Sequence, residues 1–493
     1  MTDPGRTLTD PIAAADARRW KALCVLALMQ FMLVLDITVV NVALPQIRTE
    51  LGFSQAGLAW VIDAYVLMAG GLLLLGGRLS DLLGRRRMFL VGITLFAVAS
   101  ALSGAATGPG MLIACRFAQG AAEALAAPAA FGLVALLFPD AKERAKAIGI
   151  FGGVAGLGGT LGPVISGLIL HASSWRWIFF INIPVAAATI VAVRRLVDES
   201  RAMAPRAAGR TDVGGAVLVT AGLVSLVYGL IQAASRPWGA SQVLVPLGAG
   251  LALLLLFVAR EHTAANPLVP LHFFTNRTRV TANVVTLCFA SVFFTLFFLM
   301  TFYFQQVHHY TALRTGLAYL PFGIAISAGI GVSSKLVTRI GVKALLGVGF
   351  VLGAIGVFAL TGISAHGSYL TEVLPGMVLM AVGSGLCFCG FANASVHGVT
   401  SEDASLASGV QTAVQQVGGA LGLAVLATLA LRHATAAMRH GVGSAAATTA
   451  GTVAAFRIGA VIMIVGAVSV WLLFERVTTE VPVRAEVALP APV

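Results

Sequence analysis

The chain has 493 residues, of which 58% are hydrophobic and only 11% charged. A soluble domain carries roughly a quarter charged residues, and the mean hydropathy here is +0.92, so the composition excludes an ordinary soluble enzyme and points to an integral membrane protein. The formal charge of +12 sits in short loops between apolar runs, which argues against a nucleic-acid partner.

Apolar runs of about 20 residues can cross a bilayer as helices with every backbone group paired inside the segment. Fourteen such runs are predicted, at 22–46, 57–77, 88–107, 110–136, 145–170, 177–195, 213–232, 243–260, 282–305, 315–338, 344–362, 371–394, 405–430 and 455–475. With the N-terminus inside, the inner segments hold 24 Lys and Arg against seven in the outer loops, and Arg116 falls within a span. The positive-inside bias places both termini in the cytoplasm. The five cysteines, Cys24, Cys115, Cys288, Cys387 and Cys389, all lie in apolar runs and imply neither a disulfide framework nor a metal pair.

The chain repeats itself. GRLSDLLGRRRMFLVG (77–92) matches SKLVTRIGVKALLGVG (334–349), aligning Gly84 with Gly341. Farther on, Gly149, Gly158, Gly159 and Gly162 align with Gly409, Gly418, Gly419 and Gly422. Two repeats running in one direction imply a pseudo-twofold along the membrane normal. The predicted order is six, two and six spans. It comprises a segment 1–21, a six-helix bundle 22–195, a linker 196–281 with two additional helices, a second bundle 282–476 and a tail 477–493.

The first span, FMLVLDITVVNVALP (31–45), holds Asp36 about 14 residues inside the run. An ionised carboxylate at that depth costs several kcal/mol unless paired or hydrated, and removal from water favours the neutral form of an acid. Such a group can exchange protons with the two sides in turn. A structural ion pair with Arg116 is the alternative, and the two are compatible. In span two, Asp63 of WVIDAYVLMAG reads as an interfacial, snorkelling acid or as a cavity wall.

The loop GGRLSDLLGRRR (76–87) offers Gly77 and Gly84 for tight turns, Asp81 as a cap or ion-pair acid, and Arg85, Arg86 and Arg87 toward an anionic leaflet. It serves as a topology anchor or as a conformational gate. In span four, RFAQGAAEALAAP (116–128) puts Arg116, Gly120 and Glu123 on one helix face. In span five, GGVAGLGGTLGPVISG (152–167) brings Gly158, Gly159, Gly162, Pro163 and Gly167, a pattern for close helix packing with a bend. Span nine is dense in phenylalanine, with Phe293, Phe297 and Phe304 leaning one way and Phe294, Phe298 and Phe302 another. An aromatic wall binds flat lipophilic cations; core or lipid-facing packing is the alternative. Span thirteen carries Ser405, Ser408, Thr412, Gln415, Gly419 and Gly422 on one face, for a wet cavity or for close packing. Asn41, Gln119 and Gln411 are further polar groups inside spans and count as cavity candidates. His308 and His309 fall in an outer loop and read as solvated.

Taken together, the 76–87 loop resembles the signature of the major facilitator superfamily. LDITVVNVALP (35–45), RFAQG (116–120), GGTLGPVISG (158–167) and WRWIFFINIP (175–184) resemble the drug:proton antiporter branch with fourteen spans, the EmrB/QacA type. The resemblance covers residues 20–476 and implies a proton-driven exporter in the bacterial cytoplasmic membrane, working by alternating access. It implies no cofactor beyond the proton motive force. The partners it implies are hydrophobic or cationic small molecules, protons and membrane lipids, acting on a monomer. It also implies the antiporter role of the span-five motif. Where the family usually has a small residue, this chain has Glu123, which adds a second proton site or a cation-attracting group beside Asp36 and Arg116. A dedicated exporter of one endogenous metabolite, antibiotic or lipid is the alternative, and an intramembrane sensor a remoter one. No G-x-x-x-x-G-K-[ST], H-E-x-x-H or G-x-S-x-G run occurs, so ATP-driven pumping and hydrolysis lack their usual constellations.

Overall fold

Among the described residues of the computed structural model, fourteen helices are long and apolar enough to cross a membrane, and there is no strand. The structure describes residues 11–198, 212–264, 267–269, 271–395 and 404–474. The start of the predicted 1–21 segment, much of the 196–281 linker's first part and the 477–493 tail lie outside them.

The helices are α1 (Arg18–Leu51), α2 (Gly57–Leu83), α3 (Arg85–Gly104), α4 (Pro109–Leu137), α5 (Lys146–Ala172), α6 (Trp177–Leu196), α7 (Val213–Gln232), α8 (Ser241–Thr263), α9 (Arg277–Val307), α10 (Ala312–Val337), α11 (Arg339–Gly362), α12 (Tyr369–Ser395), α13 (Leu406–Arg439) and α14 (Ser444–Leu473). Their number matches the sequence expectation, but several ends do not. α13 runs nine residues past the predicted end and α14 starts eleven residues before its predicted start. The missed stretch, SAAATTAGTVA, is only mildly apolar. Alanine nevertheless has the highest helix propensity, so the helix continues where hydropathy alone sees a loop.

The internal repeat has a structural counterpart in the backbone. Gly84 (φ 101°) separates α2 from α3, and its repeat partner Gly341 (φ 79°) kinks the chain at the start of α11. Both lie in a region that side chains bearing a Cβ avoid, so each turn needs glycine. Gly77, expected to turn the same loop, is instead helical within α2.

α1–α6 pack among themselves, and so do α9–α14. Close approach rests on small residues, as is usual where no hydrophobic force drives helices together in lipid. A Cβ at Gly76 would strike the carbonyl of Ala124, and one at Gly120 that of Tyr65, so α2 and α4 touch backbone to backbone. Two seams join the halves, α2 with α13 and α5 with α10, while the α7–α8 hairpin lies against α2 and α13. The α5–α10 seam is closed toward the face opposite the chain termini, where Gly167 meets Ala312 and Gly316 meets Pro163. Toward the terminal face, Gly149, Gly152, Gly153 and Gly331 adjoin open space. The seam is thus shut at one end and parted at the other.

Leu95, Val98 and Leu102 of α3, Leu251, Leu255 and Leu256 of α8, and Phe358 of α11 project outward and exposed. Exposed apolar surface on this scale is rare on soluble monomers and fits a lipid boundary.

Candidate functional site

Asp36 lies at the centre of a buried polar cluster in the first half. Its Oδ2 accepts from Arg116 Nη1 at 2.5 Å. Its Oδ1 accepts from Asn182 Nδ2 at 2.7 Å and from Gln119 Nε2 at 3.4 Å. Arg116 is only 1% exposed. Its Nε donates to the Val61 carbonyl at 2.9 Å and its Nη1 also to Gln119 Oε1 at 3.1 Å, while its guanidinium lies over the Tyr65 ring, 4.2 Å from the centroid. Around this pair, Ser103 donates to Gln119, Asn182 to Ser100, and Ser100 to the Phe179 carbonyl. Five helices, α1 to α4 and α6, therefore converge on one carboxylate, that of Asp36.

A buried ion pair adds little net stability, because desolvation offsets the Coulomb gain. What the cluster does is fix a geometry: Arg116, Asn182 and Gln119 from two other helices all aim donors at the one carboxylate. Asn182, Ser100, Ser103 and Tyr65 were not singled out from sequence. Asn182 stands in WRWIFFINIP and is the one amide in that apolar run, which is the signal that could have marked it.

Two further acids lie near. Glu123 of α4 is buried, its Oε2 has no hydrogen-bond partner, and Tyr65 is its neighbour. Asp63 of α2 is 0% exposed, and neither of its oxygens has a partner. This overturns the interfacial reading: α2 begins at Gly57, and α13 covers the helix face above the acid.

Helix α5 clamps α1 at the Asp36 level. Gly158 meets the Phe31 carbonyl and Val34, Gly162 meets Thr38, and Ser166 Oγ donates to the Val39 carbonyl at 2.7 Å. On its other side Thr160 donates to the Gly323 carbonyl of α10. Gly159 departs from the packing pattern, since a Cβ there would meet nothing within 4 Å. The second half repeats the arrangement, with Gly418 against Leu287 and Gly422 against Ser291 of α9.

In the α2–α3 loop, Arg85 donates through Nε and Nη2 to Asp81 Oδ1 at 3.2 and 3.0 Å, and through Nη1 to the Gly132 carbonyl at the end of α4. Arg86 donates to the Arg194 carbonyl. The loop is thereby tied to α4 and α6 at the terminal face.

The cavity candidates divide. Gln119 and Asp63 are fully buried, Asn41 is buried with its amide donating to the Ile37 carbonyl, and Phe297 stacks on Tyr319 in the core. None of these four lines open space, because each is covered by a neighbouring helix. Phe293, Gln411 and Gln415 are half-buried, and Phe293 continues into Phe388 and Phe322. On α13, Gly419 and Gly422 serve packing against Phe294 and Ser291, while Thr412 is exposed; the side chain of Ser405 lies outside the described residues. His308 is not simply solvated. It sits 4.8 Å from the Tyr303 ring, and burial pushes its imidazole below the usual histidine range. Among the described residues, no group of three or more His, Cys, Asp or Glu side chains is arranged to hold a metal ion.

Residues 26–423 match the Major Facilitator Superfamily, and the chain belongs to it: this is a multi-pass membrane transporter, not an enzyme. The chain is 37% identical over 472 residues to the puromycin resistance protein pur8 of Streptomyces alboniger, covering 94% of this chain and 93% of that protein. It is 38% identical over 434 residues to the lincomycin resistance protein of Streptomyces lincolnensis, covering 86% and 87%. With the probable actinorhodin transporter of Streptomyces coelicolor it shares 38% over 430 residues, covering 84% and 72%. Among solved structures, a bacterial homologue of the human lysosomal transporter Spinster, inward-facing and unoccupied, superposes with a TM-score of 0.64 at 16% identity, over 92% of this chain and 97% of that one. The nucleoside transporter NupG gives 0.62 at 13%, over 93% and 100%. These two are likenesses of fold.

Proposed function

We propose that the chain is a proton-coupled exporter of lipophilic, often cationic, antibiotic-like molecules, with its terminal face in the cytoplasm of a bacterial cell. The observation that carries this reading is the buried Asp36–Arg116 pair, set where α5 grips α1 and where proton uptake would release Arg116. Glu123 stands two turns along α4 from Arg116 and supplies a second charge for a cation or proton. Asp81, Gly84, Arg85 and Arg86 act as the gate that latches α2 and α3 to α4 and α6. Phe293, Gln411 and Gln415 border the path between the halves. The protein works as a monomer and draws its energy from the proton gradient, with no resident cofactor.

An inward proton yields ~2.3 kcal/mol per 100 mV and ~1.4 kcal/mol per pH unit. That suffices for gradients of one to two decades of a neutral substrate. The test is substrate-induced proton release from the purified protein over a panel of antibiotics and lipophilic cations. Release by several compounds, lost in Asp36→Asn, supports the reading; release unchanged in Asp36→Asn removes Asp36 from it.

A second reading is a dedicated exporter of one compound. It draws support from relatives whose names each give a single product, such as the tetracenomycin C resistance and export protein of Streptomyces glaucescens, 34% identical over 428 residues. Response to one member of the panel alone would favour it.

A further inference from the structure

The α7–α8 hairpin carries a pair of carboxyl groups at the terminal face, far from the Asp36 cluster. Asp212 caps the start of α7 and Glu261 lies in the last turn of α8; they are 6% and 4% exposed. Asp212 Oδ1 accepts from the Gly215 amide at 2.8 Å and from Arg260 Nε at 2.7 Å. Glu261 Oε2 accepts from the Val269 amide at 2.9 Å. The other oxygen of each, Asp212 Oδ2 and Glu261 Oε1, is buried without a partner. Both face one spot, since a Cβ on Gly215 would lie 2.7 Å from the first and 2.9 Å from the second. Among the described residues, Asp212 and Arg260 are the charged groups that act on Glu261, and His262, next along α8, is exposed.

Arg260 offsets one negative charge, not two. That charge is best placed on Asp212, which has a helix N-terminus and the guanidinium on the same oxygen. A second buried carboxylate beside it is driven to its neutral form by the like charge. Glu261 is then the partner that carries a proton, and one proton turns two orphaned oxygens into a donor and its acceptor. What Glu261 holds through the Val269 amide is a strap. Beyond Val269 the chain makes a short turn, Leu271–Thr275. Val269 and Phe273 pack with Ala407 and Val410 of α13 and against Leu74 of α2, none of which titrates. Arg279, at the start of α9, lies over the Phe273 ring at 4.5 Å. The strap thus touches one helix of each half toward the terminal face.

We propose that Asp212 and Glu261 share one proton, and that this proton fastens the α8–α9 strap across the terminal end of the α2–α13 seam. With the proton in place, Glu261 Oε1 donates toward Asp212 Oδ2 while Oε2 keeps the Val269 amide. When the proton passes to water, the two carboxylates repel, Glu261 turns away from α7 and the strap loosens. A fastened strap bridges both halves and resists their movement past one another. The device stands apart from substrate transport; only its consequence rests on the antiport reading, in which proton entry acidifies the terminal side and so restrains the next turnover.

Hydrogen–deuterium exchange of the full-length protein in lipid, without substrate, tests it. Exchange times are scaled for the intrinsic pH dependence of amides, and the α3–α4 hairpin serves as the reference for folding. In the wild type, protection over residues 267–276 is expected to fall at least tenfold between about pH 6 and about pH 9, the range that buried carboxylic acids reach. Glu261→Gln keeps both hydrogen-bonding roles with no proton to lose and should stay protected throughout. Asp212→Asn removes the repulsion and should flatten the response as well. Glu261→Ala leaves the Val269 amide without its acceptor and should lose protection at every pH. Flat protection in the wild type, a wild-type response in Glu261→Gln or Asp212→Asn, or wild-type protection in Glu261→Ala at about pH 6 each overturns the proposal. Such a failure leaves substrate-induced proton release through Asp36 standing, and loss of that release leaves the strap standing, so the two readings fail separately.

Discussion

Replacing Asp36 by Asn keeps the shape of the cluster and removes its charge. Arg116 then stays buried with the Val61 carbonyl and Gln119 Oε1 as acceptors, but without a counter-ion. Breaking a buried pair from one side costs roughly 3–5 kcal/mol. The two remaining acceptors and the Tyr65 ring face place this variant at the low end of that range. Neutralising both partners, Asp36→Asn with Arg116→Gln, removes the orphaned charge and is expected to recover most of the loss. The transport consequence is separate. With one proton per substrate, a gradient of one pH unit supports about tenfold accumulation of a neutral compound, and Asp36→Asn should lower this to none while downhill flux continues. The assay is uptake into inside-out proteoliposomes under an imposed pH step, with thermal unfolding measured on the same preparations. If Asp36→Asn still concentrates its substrate tenfold per pH unit, or is as stable as the wild type, the reasoning from the buried pair is wrong.

Asn182→Leu takes a 2.7 Å donor from Asp36 and a partner from Ser100; the expected loss is about 1–3 kcal/mol in unfolding stability, together with a displaced pH profile of transport, and an unmoved profile would leave Asn182 a packing residue. Gly84→Ala and Gly341→Ala each force a Cβ into the positive-φ region at a cost of about 1–3 kcal/mol; as the two turns lie in different halves, their effects on thermal unfolding should add, and a neutral result at either would contradict the assigned backbone. Glu123→Gln removes a buried charge beside Tyr65 and is expected to reduce export of cationic compounds more than of neutral ones, with equal losses counting against charge recognition.

The number and order of the helices were legible because each apolar run must satisfy its own backbone, a constraint written into single segments. The repeat was legible too, since Gly84 and Gly341 answer the same steric demand in the two halves. Helix ends were not, because hydropathy marks the hydrocarbon slab and α13 and α14 extend past it on alanine's propensity. Within the site, Asp36 and Arg116 stood out because charges are rare in spans. Ser100, Ser103 and Asn182 did not, because small polar residues occur along most of these helices, commonly bonded to their own preceding turn, as Thr286 and Thr295 are. Asp63 was misplaced because position along a span gives depth but not cover, and its cover comes from a helix some 350 residues away in the chain.

Helix α5 joins the local chemistry to the movement of the halves. One of its faces meets α1 through Gly158, Gly162 and Ser166 at the level of Asp36, and another meets α10 through Thr160, Pro163 and Gly167. Both contacts are close, glycine or a short hydroxyl side chain against the neighbouring helix, so a shift of α1 is expected to pass to α10. In the proposed cycle, release of Arg116 by a proton on Asp36 would loosen α1 from α4 while α5 still holds it. The glycines of this motif therefore matter less for flexibility than for rigidity: they bring three helices close enough that one carboxylate's charge state bears on the seam between the two halves.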